Sequence, residues 1–234
     1  MKGFLLLAGA LATTVLPAFA AKAETLIWGV GIEQLEYRVG ESGEDVLAWD
    51  FDALIGSDEL KFVWRSEAEY EESHRRFESL ENQARLQVPV SAFFDVVAGV
   101  RFEAPRNADR VSGVLGLHGL TKQWFEIDAD LFLSKDPSAR FEVEYEGLIT
   151  NYLTFTPSLE INLPFTDDEE FEFGAWGPKV ELGTRLSYDV VDRVLSPYLG
   201  VHYEQIFGET RRLAEAEGKE DSAVFAVLGV KILF

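Results

Sequence analysis

Residues 46–70 read VLAWDFDALIGSDELKFVWRSEAEY, in which apolar and polar side chains alternate. In its first half every second side chain is apolar, and Asp50 and Asp52 lie between apolar positions. A two-residue period places alternate side chains on opposite faces of a β-strand. The second half alternates in the same way, and the Gly-Ser-Asp sequence at 56–58 is typical of a tight turn. The stretch therefore predicts a hairpin with one apolar face and one charged face.

The same alternation continues along the rest of the chain. Most segments are close to the roughly ten residues with which a tilted strand crosses a bilayer, and their number is even. The pattern predicts twelve strands, near residues 25–38, 46–56, 59–71, 79–89, 93–104, 110–120, 124–134, 139–150, 153–164, 178–190, 197–207 and 223–234.

The connections between these segments are expected to alternate in length. Short turns are predicted near residues 57–58, 91–92, 121–123 and 151–152. Longer polar connections are predicted near residues 41–45, 71–78, 105–109, 165–177 and 208–222. Short turns at one rim and long loops at the other are typical of an outer-membrane barrel with both termini in the periplasm.

Strand alternation alone does not say which face meets solvent, because a soluble barrel or sandwich carries the same pattern with its apolar face inward. Aromatic residues near strand ends favour the membrane alternative, since outer-membrane barrels carry aromatic girdles at both interfaces. The chain also ends VFAVLGVKILF at 224–234, a strand pattern that stops on an aromatic residue. We therefore expect an all-β, transmembrane antiparallel barrel of about 12 strands. A soluble periplasmic sandwich or lipocalin-like barrel is the alternative.

Composition excludes several classes of protein. The formal net charge of the 234-residue chain is -20, which argues against nucleic-acid binding, because phosphate recognition needs clustered Lys and Arg. The chain has no Cys and hence no disulfides. After residue 20 it contains no apolar run of the roughly 18 residues that a transmembrane helix needs.

The first twenty residues, MKGFLLLAGALATTVLPAFA, have the pattern of a signal peptide. A basic start, an apolar run and a small-x-small triplet at 18–20 predict cleavage after Ala20 and export from the cytoplasm. A short buried helix is the alternative. We predict a signal peptide at 1–20 and an outer-membrane barrel domain at 21–234.

Several fragments of the predicted barrel resemble one family. They are EQLEYRVGESGEDVLAWDFDALIGSDELKFVWRSEAEYE, AGVRFE, LGLHGLTKQWFEIDADLFLS followed by SARFEVEYEGLIT, and LSPYLGVHYEQIFGET. Together these fragments resemble the outer-membrane copper resistance protein B family over about residues 32–234. The resemblance implies a bacterial outer-membrane protein that contributes to copper resistance by binding copper or passing it across the membrane. Its implied partners are outer-membrane lipid, copper or another divalent cation, and a periplasmic copper-handling protein.

The ligands for copper are expected to differ from those of many family members, which often carry a Met- and His-rich segment before the barrel. Here the first strand is expected a few residues after Ala21, and Met1 leaves with the signal peptide. Copper(I) prefers thiolate and thioether ligands, which the mature chain then does not offer. Imidazole and carboxylate groups remain, and they suit copper(II) or another divalent ion.

The predicted lumen supplies candidate ligands. His118 and His202 take the inward register, on strands almost opposite one another, so a site shared by both is not expected. A pair of His202 with Glu204, or of His118 with Asp128 or Asp130, could hold a divalent ion weakly. The alternative for both histidines is a hydrogen bond to neighbouring acids without a metal. His74 is expected to be a solvated loop residue.

Many acids and fewer bases are expected to face the lumen, among them Glu126, Glu181, Lys179 and Arg185. They can form a structural network of Arg–carboxylate pairs, or a path selective for cations, since rings of carboxylates favour cations. A structural or small-solute barrel without specific copper binding therefore remains the second hypothesis. A Ser-His-acid site needs a nucleophile within hydrogen-bond reach of its base, and neither inward histidine has an obvious Ser partner. No enzymatic activity is expected.

Overall fold

A computed structural model of the protein describes residues 25–41, 43–104, 109–168, 171–191, 193–216 and 218–234. The predicted signal peptide at 1–20 lies outside these residues. The described residues form strands and one helix, α1 (Gly208–Ala216). The strands are β1 (Ile27–Gly40), β2 (Asp45–Gly56), β3 (Lys61–Glu71), β4 (Arg76–Pro89), β5 (Phe94–Glu103), β6 (Arg110–Leu120), β7 (Phe125–Leu133), β8 (Ser138–Tyr145), β9 (Gly147–Leu148), β10 (Leu153–Pro164), β11 (Lys179–Tyr188), β12 (Leu195–Ile206) and β13 (Ser222–Leu233).

These strands form one closed antiparallel barrel. Apart from β8 and β9, strands that follow one another in the chain pair with each other, and β13 pairs with β1, so that Tyr37 lies opposite Leu228 and Gly31 opposite Leu233. Strands β8 and β9 both pair with β10 and together occupy one position around the wall. The described part of the chain therefore forms a twelve-stranded barrel, and the predicted fold class is confirmed. Closure leaves no free sheet edge between the first and last strands.

The two faces of the wall separate apolar from charged side chains as the sequence predicts. Large apolar residues project from the outer surface, including Trp28, Phe102 and Leu228, and the terminal Phe234 is 74% exposed. Arginines and carboxylates lie inside, and Arg85 is fully buried. The lumen also contains a small apolar cluster of Val97, Val114 and Phe132, which sequence alternation does not identify. An apolar outer surface of this extent suits a hydrocarbon environment.

Most strand boundaries lie within two residues of the predicted ones, and two strands depart further from prediction. The eighth predicted strand, 139–150, is divided at Glu146 into β8 and β9. This interruption lies beside Pro157 of β10, and a proline has no N–H to donate to the ladder. Strand β4 begins at Arg76 rather than near residue 79, and the β3–β4 register shifts between Glu69 and Tyr70. The predicted loop at 71–78 is accordingly shorter.

The two ends of the barrel differ in their connections. We call the end with the turns at 57–60, 90–93, 121–124 and 149–152 the short-turn mouth. The opposite end, the long-loop mouth, carries the connections at 165–178 and 207–221. These two long connections pack together, because the Thr210 hydroxyl donates to the Gly177 carbonyl at 2.6 Å and accepts from the Gly174 N–H at 3.0 Å. Within the described residues, no helix is long and apolar enough to cross a membrane.

Candidate functional site: the charged lumen

The lumen holds a cavity of about 1240 Å³ whose wall is strongly acidic. It extends from Glu126 and Lys231, near the short-turn mouth, to Thr210 and Leu213 of the long connections. Carboxylates outnumber Lys and Arg side chains along this wall. The cavity therefore carries an excess of negative charge even after its ion pairs are counted, and such a wall favours cations.

Arginines cross the bore and tie opposite parts of the wall together. Arg85 of β4 contacts Asp128 at 3.2 Å and Asp130 at 3.0 Å, both on β7. Arg65 of β3 reaches the other oxygen of Asp128 at 3.5 Å. Arg140 of β8 extends the network, donating to Glu81 of β4 at 3.0 Å. These cross-bore contacts hold the middle of the lumen in a fixed arrangement.

A second group of ion pairs joins β1 and β11. Arg185 takes its predicted inward register, whereas Glu36 and Arg38 are not predicted to face the lumen. Glu36 is 1% exposed and accepts from Arg185 at 2.6 Å and from Arg38 at 3.0 Å. A β-bulge between Ile32 and Gln34 shifts the inward register of β1, so that Glu36 and Arg38 enter the lumen. The apolar positions of β1 change phase across the bulge, and this change is a signal that the sequence does contain.

The first histidine cluster lies near the short-turn mouth. His118 is near the end of β6, and its Nδ1 lies 2.9 Å from Oδ2 of Asp128 at the start of β7. Glu126 completes the group, in which each residue has a ligand atom within 4.8 Å of those of the others. Because the two arginines described above contact both oxygens of Asp128, this carboxylate already has two fixed cations beside it.

The second histidine cluster lies near the long-loop mouth. The Nε2 atom of His202, on β12, lies 3.0 Å from Oε1 of Glu204 and 3.4 Å from Oε2 of Glu181 on β11. His202 is 5% exposed, and its ring packs against Phe225 with centroids 6.1 Å apart. The Lys179 ammonium contacts both carboxylates. Antiparallel pairing of β11 with β12 places Glu181 directly opposite Glu204.

The structure divides the predicted site residues between these two clusters. The predicted pairs of His202 with Glu204 and of His118 with Asp128 are in contact, whereas Asp130 contacts Arg85 instead of His118. His74 lies in the β3–β4 turn with a 63% exposed side chain. The sequence reasoning placed Glu126 and Glu181 in the lumen but did not assign them to a histidine. Their cross-strand positions beside the histidines could have identified them, given the correct register.

Comparisons with known proteins agree with this architecture. Residues 26–234 match the family model described as copper resistance protein B precursor. The chain is 32% identical over 205 residues to copper resistance protein B of Escherichia coli, covering 87% of this chain and 68% of that protein. It is 29% identical over 204 residues to a copper resistance protein B homolog of Pseudomonas syringae pv. tomato (strain ATCC BAA-871 / DC3000), covering 86% of this chain and 68% of the relative.

Among solved structures, the NanC porin superposes on this barrel with a TM-score of 0.54 at 15% identity, covering 88% of this chain and 99% of the porin. At this identity the likeness concerns the fold alone. The family model, in contrast, matches the chain through all of the strands described above, from β1 to β13. The chain belongs to the copper resistance protein B family.

Proposed function

We infer that this protein is a bacterial outer-membrane barrel that contributes to copper tolerance by binding copper ions in its lumen or passing them through it. The observation that carries this inference is the acidic lumen, with an imidazole–carboxylate cluster near each mouth. Imidazole and carboxylate ligands suit copper(II) and other divalent ions. Membership in the family supports copper as the cargo.

The membrane location is part of the same proposal. The outward face exposes large apolar side chains, and closure of the barrel pairs the backbone groups of the first and last strands, as a hydrocarbon environment requires. Aromatic residues near the short-turn mouth, such as Trp28, Trp124 and Tyr152, are exposed and suit the membrane interface. An N-terminal signal peptide would direct the chain out of the cytoplasm.

A structural barrel without specific copper binding is the second candidate, and the arginine bridges favour it. Arg85 and Arg140 span the bore between β4 and β7 or β8, and such bridges both rigidify and narrow a lumen. The two candidates differ in what they predict for copper. Loss of a structural barrel leaves the copper tolerance of the cell unchanged. Loss of a copper-handling barrel lowers it.

Deletion of the gene in its host, followed by growth in a copper titration, tests the proposal. We expect lower copper tolerance in the deletion strain and full recovery when the wild-type gene is supplied. The double variant E126Q/E144Q, which neutralises two lumen acids near the short-turn mouth, is expected to restore tolerance only in part. The matched control is E209Q, which neutralises a half-exposed acid on helix α1 and is expected to restore copper tolerance fully. Unchanged tolerance in the deletion strain would contradict copper handling.

Purified protein in a planar bilayer provides the second measurement. Under a KCl gradient, we expect the reversal potential of the current to have the sign of a cation-selective pore, because the lumen is acidic. The variant E126Q/E144Q is expected to move the reversal potential towards zero. The absence of any conductance, together with the absence of copper binding, would favour the structural barrel.

A further inference from the structure

The cluster near the long-loop mouth already contains a cation that belongs to the protein. The Lys179 Nζ atom lies 2.7 Å from Oε2 of Glu204 and 3.0 Å from Oε1 of Glu181. The remaining oxygen of each carboxylate lies near Nε2 of His202. The two glutamates therefore stand between an ammonium group on one side and an imidazole on the other.

The imidazole side of this arrangement has the dimensions of a metal site. A divalent ion bound by imidazole nitrogen and carboxylate oxygen at roughly 2.0–2.2 Å holds neighbouring ligand atoms about 3 Å apart. The separations from His202 Nε2, 3.0 Å to Glu204 and 3.4 Å to Glu181, are close to that value. One ligand atom from each of the three residues lies within 4.8 Å of the other two, so the three can converge on one ion.

The second ring nitrogen of His202, Nδ1, also bears on whether the imidazole can bind a metal ion. Within the described residues, Nδ1 is buried and has no hydrogen-bond partner, although the residue is only 5% exposed. A buried polar atom without a partner is uncommon and requires an explanation. With no fixed partner on Nδ1 neither tautomer is locked, so Nε2 is available as the unprotonated nitrogen that a metal ion requires.

We propose that Glu181, His202 and Glu204 form a divalent-cation site, and that Lys179 is its built-in competitor. This proposal rests on the proposed function, since it names the binding step within the acidic lumen. The ammonium group neutralises the two carboxylates through their other oxygens, and the charge of an arriving copper(II) or similar ion repels it from them. Because both cations need the same glutamates, Lys179 weakens ion binding and promotes release.

A lysine suits this role because of its flexibility. Its ammonium is a compact charge on a four-carbon stem, so that it can leave the carboxylates without disturbing the wall, whereas an arginine is held by its planar fork. The Lys179 side chain is 22% exposed at the cavity. A further acid, Glu69 of β3, lies in the same part of the lumen, where it contacts Arg38 at 2.5 Å. The surrounding acids offer the displaced ammonium other negative partners. A site regulated in this way exchanges ions rather than storing them.

Metal titration of the full barrel, purified in detergent micelles, tests the proposal. We expect K179M to bind copper(II) at least about tenfold more tightly than wild type, because a positive charge beside the ion is removed. The variant H202Q in the K179M background is expected to lose this gain. Electron paramagnetic resonance of the copper(II) complex of K179M is expected to show coupling to one imidazole nitrogen, and H202Q to remove it.

Matched controls separate this effect from a general change of charge or fold. K61M removes another lumen lysine, which contacts Asp95 at 2.6 Å beside His118 rather than at the long-loop cluster, and is expected to leave copper affinity unchanged. H74Q makes the same substitution at an exposed histidine and is likewise expected to have no effect. Each variant is checked for the mobility difference between unheated and boiled samples, which reports a folded barrel.

The outcomes for the site and for the proposed function are distinguishable. Equal affinity in wild type and K179M, or equal affinity in K179M and K179M/H202Q, overturns the proposed site even if deletion of the gene lowers copper tolerance. Conversely, tight binding by K179M together with unchanged copper tolerance in the deletion strain upholds the site and contradicts the proposed function. A similar gain in K61M shows that lumen charge alone sets the affinity and overturns the role of Lys179.

Discussion

The two histidine clusters at opposite mouths of the lumen contain similar ligands but different counter-ions. At the short-turn mouth, Asp128 is contacted by Arg65 and Arg85 as well as by His118. At the long-loop mouth, Glu181 and Glu204 share the ammonium group of Lys179, and Arg38 approaches Glu204 Oε1 only at 3.9 Å. Both clusters combine one imidazole with two carboxylates. If the second cluster exchanges ions as proposed, the neighbouring base rather than the ligand set separates a structural cluster from an exchangeable one.

Burial strengthens this distinction. Arg85 is fully buried and bridges two acids on β7, so that its removal takes away the arginine contact of Asp130 and one of the two arginines at Asp128. Lys179 is partly exposed to the cavity and can be hydrated when it leaves. Breaking a buried ion pair costs far more than breaking one that water can reach. The first cluster is thus part of the scaffold, and the second can change its partners.

The largest expected effect is therefore on stability, at the short-turn cluster. We expect R85M to lower the free energy of unfolding by about 3 kcal/mol, since Asp128 and Asp130 lose the arginine that they share. K179M, in which the remaining charges face a hydrated cavity, is expected to cost about 1 kcal/mol or less. Urea unfolding of the barrel in lipid vesicles, followed by tryptophan fluorescence, measures both. Equal losses of unfolding free energy in R85M and K179M would contradict a difference between a structural and an exchangeable cluster.

A smaller effect is expected from two glycines, one beside each cluster. A Cβ atom at Gly116 would lie 1.8 Å from Oδ1 of Asp130 and 2.8 Å from the Ala129 carbonyl, so that the acid would have to leave its place beside Arg85. We expect G116A to cost about 2 kcal/mol, as overpacking against backbone does. The same urea titration measures this loss.

Gly183, opposite His202 in the sheet, provides the matched comparison. A Cβ atom there would approach the ends of two side chains, Ser158 Oγ at 2.3 Å and an Arg185 nitrogen at 2.6 Å, and both can rotate away. We expect G183A to cost less than half as much as G116A. A larger loss for G183A would contradict the view that the long-loop cluster is the more adaptable one.

Sequence reasoning recovers the barrel better than it recovers either cluster. The two-residue period identifies every strand, because each strand has one face in hydrocarbon and one in the charged lumen. It does not give the contacts of Asp128, since Arg65 and Arg85 reach this acid across the bore from strands that are not its neighbours. It also misses Glu36 and Arg38, because the bulge in β1 interrupts the period.

The histidine–carboxylate contacts can be predicted from strand register, but the contacts of Lys179 cannot. His202 with Glu204, and His118 with Asp128, were predictable from register, since neighbouring strands bring them together. Lys179 was placed in the lumen, but its two contacts to the cluster depend on side-chain conformation, which alternation does not specify. The arrangement that separates the two clusters is therefore visible only in three dimensions.

The smallest expected effect concerns copper binding at the short-turn cluster. We expect H118Q to change the copper(II) affinity of the K179M barrel by less than about threefold. Both oxygens of Asp128 are already occupied by arginine contacts, so His118 has no free carboxylate beside it with which to bind an ion. H202Q in the same background provides the scale, with its expected loss of about tenfold or more. Titration of both variants under one set of conditions compares them directly. If H118Q reduced affinity as much as H202Q, copper would reach the short-turn cluster despite its arginines, and both mouths would then exchange ions.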